Sequence, residues 1–120
     1  MNLKDYKEIL SHLEPELFNG VPSQLLDISI NDAIVGNTSK TIAIKDGGHD
    51  NAFAEALGIF SNLASVISLI VTIYQLRKND KKNEKVEPEQ IERDIPDDKK
   101  AGINISYIIS VVIIYLENRE

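Results

Sequence analysis

Two histidines, no cysteine and nineteen acidic residues are the stock from which this 120-residue chain could build a metal site. The densest cluster is Asp46, His49 and Asp50, set in a loop with Gly47 and Gly48. Oxygen and imidazole ligands at such spacing could in principle hold a cation. A calcium loop, however, needs alternating acidic ligands and a bidentate Glu at its twelfth position. That pattern is absent, and Asp-Gly-Gly is ordinary turn chemistry. Gly47-Gly48 ahead of a helix could cradle an anion, but no Walker-type Lys-Ser/Thr follows. His12 lies off the apolar stripe of its segment. Glu14/Glu16 and Asp97/Asp98 sit in polar surroundings, where nothing would separate two carboxyl pKa values as acid-base catalysis requires. Without cysteine there is no thiol nucleophile, zinc-thiolate cluster or disulfide framework. The expectation is a protein with no catalytic activity of its own, no metal and no cofactor.

Thirteen Lys and Arg against the nineteen acids leave a formal charge of -6, which speaks against nucleic acid as a partner. The first ten residues, MNLKDYKEIL, do not read as a secretory signal peptide. One domain spanning 1–120 is the organisation that the length suggests.

The elements that would position any site follow from hydrophobic period. Leu3, Tyr6, Leu10, Leu13 and Leu17 recur at 3- and 4-residue steps, which predicts an amphipathic helix within 1–18, interrupted near Leu13 because Pro15 cannot continue the ladder. Leu26, Ile28 and Ile30 alternate with Asp27, Ser29 and Asn31, and Thr41 to Lys45 alternate again beyond a Gly-Asn-Thr-Ser stretch. A short β-hairpin over 24–46 is the simplest reading. Asp50 or Asn51 would cap the next helix.

That helix, predicted over 50–77, is the most informative segment. Ala56 to Leu76 are twenty-one consecutive uncharged residues, enough for ~32 Å of helix against a hydrocarbon core of ~30 Å. Ala54, Gly58, Ser61, Ser65, Ser68, Thr72 and Gln75 line up at alternating 4- and 3-residue steps among bulky apolar neighbours. Small residues four apart let helix backbones approach closely, so Gly58, Ser61, Ser65, Ser68 and Thr72 are the candidate interaction residues.

Arg77 opens a charged linker over 78–100, and eight basic and eight acidic residues lie between Arg77 and Lys100. Pro88 suits the first turn of a short helix there. The apolar segment 101–116 has a length compatible with strand or helix. Its β-branched richness and the Asn104/Ser106 alternation favour a strand. The predicted fold is therefore α+β: an N-terminal amphipathic helix, a short hairpin, a long hydrophobic central helix and a β-rich C-terminal segment.

The run DGGHDNAFAEALGIFSNLASVISLIVTIYQLRKN, with VEPEQIERDI beyond it, resembles the effector-associated constant-component adaptor domains of bacterial conflict systems. Those join a Gly-rich start, an Ala/Leu-rich helix ending in basic residues and short flanking strands. The resemblance covers residues 41 to 95 and is one of pattern, without an invariant motif. Gln75-Leu76 stands where the family has Trp-Leu, and no functional residue transfers. It implies a non-enzymatic adaptor and a role in bacterial defence.

Function follows from where the apolar surface goes. If about six large side chains on the central helix stayed exposed, at ~1.5–3 kcal/mol each, the loss would rival the stability of a domain. A cytoplasmic protein-binding or assembly module, homo-oligomeric or bound to a protein partner, is the expected reading. The alternative is a small membrane-embedded or membrane-active protein, a hairpin, pore or holin-like element built on two apolar segments. Against it, Ala101–Leu116 is short for a span and a net-negative N-terminal segment would have to be translocated.

Overall fold

The computed structural model describes residues 1–35, 51–80 and 85–119, and its elements among these are all helices. In order they are α1 (Leu3–Leu13), α2 (Pro15–Gly20), α3 (Ser23–Val35), α4 (Asn51–Asp80), α5 (Pro88–Asp94), α6 (Asp97–Lys100) and α7 (Ile105–Arg119). The described residues contain no strand, which overturns the α+β expectation. They divide into two compact units, Met1–Ser65 and Val66–Glu120, and the division falls within α4.

In the first unit α1 begins at a reciprocal cap. The Asp5 N–H donates to the Asn2 side-chain oxygen at 3.0 Å, and the Asn2 N–H donates to the Asp5 carboxylate at 2.9 Å. Two of the donors that a helix start leaves orphaned are thereby satisfied. Tyr6, Ile9 and Leu10 are buried, one stripe of a 3.6-residue period, while Leu3 and Leu13 at its ends are half-buried. The helix stops at Leu13, where Glu14 leaves helical geometry ahead of Pro15, and Pro15 then serves as the first residue of α2. Lys7 reaches from α1 to α3, donating to Ser23 Oγ and pairing with Asp27 Oδ1, each at 2.9 Å. Both partners of that ion pair are partly exposed, so it contributes at most about 1 kcal/mol.

α3 replaces the first strand of the predicted hairpin. Leu26, Ser29, Ile30 and Ala33 are buried, spaced 3, 1 and 3, and Ile28 is 40% exposed. The alternation of Leu26, Ile28 and Ile30 extends over too few residues to outweigh the helical period of the thirteen-residue segment. The second strand, Thr41 to Lys45, lies outside the described residues, as do Asp46, Gly47, Gly48, His49 and Asp50.

The C-terminal segment is the second correction, since 105–119 is helical rather than β-rich. Ile105, Ile108, Ile109, Val112, Ile113 and Leu116 are buried and define one stripe. Its β-branched residues fit a strand by intrinsic preference, but that preference is worth only tenths of a kcal/mol per residue in a helix. One fully shielded face outweighs it. Gly102, at φ 76°, makes the turn into α7 in a left-handed conformation that L side chains disfavour.

α7 packs on α5 in the second unit. α5 starts at Pro88, with the Glu87 N–H donating to Gln90 Oε1 at 3.1 Å, and it buries Ile91. Its far end is held to α4 by Arg77, whose Nε and Nη2 both lie 2.8 Å from Asp94 Oδ2. Ser106 at the start of α7 donates to Glu92 of α5 at 2.8 Å.

Burial ranks the two faces of α7. Replacing Ile109, fully buried, with Ala should cost about 2–5 kcal/mol in urea-induced unfolding followed by far-ultraviolet circular dichroism. Ile114→Ala, at a side chain 59% exposed, should change stability by no more than about 0.5 kcal/mol. Equal losses at both positions would contradict the helical register.

Candidate interaction surface

Because α4 is apolar around most of its circumference, neighbours must cover it wherever it is not to face water. In the first unit α2 and α3 supply part of that cover. Phe18 of α2 meets Phe60 of α4 edge-to-face, with ring centroids 6.4 Å apart and planes at 90°. Ser29 of α3 donates its hydroxyl to the Leu57 carbonyl at 3.1 Å and is also hydrogen-bonded to Ser61. A hydroxyl has one proton to give, so with Ser29 donating to Leu57 it is the Ser61 hydroxyl that donates to Ser29. Ser29 and Ser61 are both buried, and each hydroxyl has its partner inside the unit.

Ser61 is therefore absorbed into the protein's own packing, and the five candidate interaction residues do not share one environment. Gly58, Ser65 and Ser68 are half-buried and Thr72 is exposed. A Cβ placed on Gly58 would meet nothing within 4 Å, so among the described residues no close approach of helices calls for its small size. The Thr72 hydroxyl turns back to the Ser68 carbonyl at 2.9 Å, satisfying itself within the helix.

The exposed arc of α4 also changes along its length. In the first half Ile59 and Asn62 face water, and in the second Thr72, Gln75 and Leu76 do. At 100° per residue Ile59 and Thr72 lie about 140° apart around the axis. Ser61 and Thr72 themselves lie only about 20° apart around the axis, so what separates them is the covering neighbour, Ser29 of α3 against Ser61, and not their place on the stripe.

Other apolar groups are exposed outside α4. Tyr107 and Ile114 are seven residues apart on the outer face of α7, 48% and 59% exposed, with half-buried Val111 between them. Against Ile114 lies an open groove of about 280 Å³, bordered also by Val86, Pro88, Ser110 and Ile113 and by the charged Lys85, Glu87 and Glu117. The expected strand would place Tyr107 and Ile114 on opposite sides, and only the helix brings them onto one face. Their seven-residue spacing was the available signal. A second hollow, about 440 Å³, lies on α1 among Leu3, Lys4, Lys7, Glu8, Ser11 and Phe18, and its wall is largely apolar.

Among the described residues no group of three His, Cys, Asp or Glu side chains could hold a metal ion. His12 is exposed on α1, Glu14 is half-buried at its C-terminus, and Glu16 and the Asp97/Asp98 pair are exposed. Asp46, His49 and Asp50 lie outside the described residues. No family model, no curated protein and no solved structure matches the chain.

The two environments within the stripe lead to opposite mutational outcomes. Ser61→Leu should cost about 1–3 kcal/mol through overpacking, besides leaving Ser29 without its second partner, when measured by chemical denaturation. Gly58→Ala should raise stability by about 0.5–1 kcal/mol, because it removes a mid-helix glycine and meets no neighbour. Loss of stability from Gly58→Ala would show that a helix backbone does approach there.

Proposed function

We propose that the protein is a non-enzymatic, adaptor-like assembly module, cytoplasmic, that associates with a further copy of itself or with a protein partner through apolar side chains left uncovered by its own fold. The observation that carries this reading is the exposure of large apolar groups in so short a chain: Leu76 is 60% exposed, and Ile28, Ile34, Ile59, Tyr107 and Ile114 are all at least 40% exposed. Scattered single groups of this kind are normal on protein surfaces. Tyr107, Val111 and Ile114 instead form a row on one helix face, which is the arrangement a partner helix can read at i, i+4 and i+7. The half-buried edge of Gly58, Ser65 and Ser68, with exposed Thr72, is the second contact region in this proposal.

A membrane reading has one observation in its favour. Glu55–Asp80 is long and apolar enough to cross a bilayer by length and composition. Of its most apolar window, 61% is buried inside the structure, as is common for the core helix of a soluble protein, and the other apolar helix, Ile105–Asn118, is shorter than a span. The assembly reading uses the same apolar surface without requiring that these packed side chains be released to lipid.

Sedimentation and fractionation separate the readings. Expressed protein should stay in the supernatant after a carbonate wash of membranes; recovery in the pellet would sink the assembly reading in favour of the membrane one. At tens of micromolar without detergent, analytical ultracentrifugation should find a species heavier than the 13.4 kDa monomer. Tyr107→Glu and Ile114→Glu should each return it towards monomer while keeping the helical circular dichroism, since a charge desolvated at an interface is costly. A clean wild-type monomer would refute self-association and leave only a heterologous partner.

A further inference from the structure

We draw no further inference here: the strongest candidate, the outer face of α7 at Tyr107, Val111 and Ile114 with the groove beside it, is an unpartnered apolar face, and nothing in the structure shows what covers it.

Discussion

Twenty-one uncharged residues in one helix set the constraint on which the remaining structure depends. A helix with an apolar surface on nearly every side cannot be shielded by one neighbour, because a packed partner covers only the arc it faces. Several elements must therefore converge on α4. In the first unit Phe18 of α2 meets Phe60 edge-to-face, and Ser29 of α3 sits against Leu57 and Ser61. In the second, the end of α4 is tied to α5 through Arg77 and Asp94, and α5 in turn packs on α7. The short helices α2 and α5 both begin at a proline, whose fixed φ favours a helix start and whose missing N–H costs nothing there.

Polar contacts refine this packing and do not drive it. The ion pairs Lys7–Asp27 and Arg77–Asp94 have partly exposed members, where solvent screening leaves each with little net energy. Their effect is geometric: each joins two helices at one register. The buried Ser29–Ser61 pair has higher stakes. An apolar α3 could have slid along α4 with small changes in buried area, whereas two buried hydroxyls and the Leu57 carbonyl are satisfied together only at one offset. A small polar cluster of this kind specifies alignment more than it adds stability.

The same economy bears on the proposed role. A small chain cannot shield every large side chain it carries, and among the described residues Ile28, Ile34, Ile59, Leu76, Tyr107 and Ile114 are left exposed. Binding through such a surface needs no reacting atom. It draws on apolar area, with specificity from the hydroxyls and small residues at its edge. That is the physical content of the proposed assembly role.

The periodicity of apolar residues in the sequence already carried α1, its end near Pro15, the long α4 and the short helix opening at Pro88, because each rests on local physics: a 3.6-residue stripe, a missing N–H, a preset φ. Two elements depart from the sequence expectation for related reasons. Leu26-Ile28-Ile30 alternates over five residues only, too short a window to separate a period of 2 from the 3.6-residue stripe in which Ser29 turned out to be a buried member. The isoleucines and valines of 105–116 express β preference, a weak local tendency that burial of a whole helix face overrides. The candidate site divided in the same way. The spacing of Gly58, Ser61, Ser65, Ser68 and Thr72 was plain in the chain, but which of them faces a neighbour was not. The identity of the covering helices decided that. Ser61 is buried because α3 brings Ser29 against it, and Thr72 is exposed because the exposed arc of α4 has turned by that point. Local sequence determines which stretches coil and which face is apolar, while the neighbour that covers each arc comes from distant parts of the chain, and only the tertiary structure shows it.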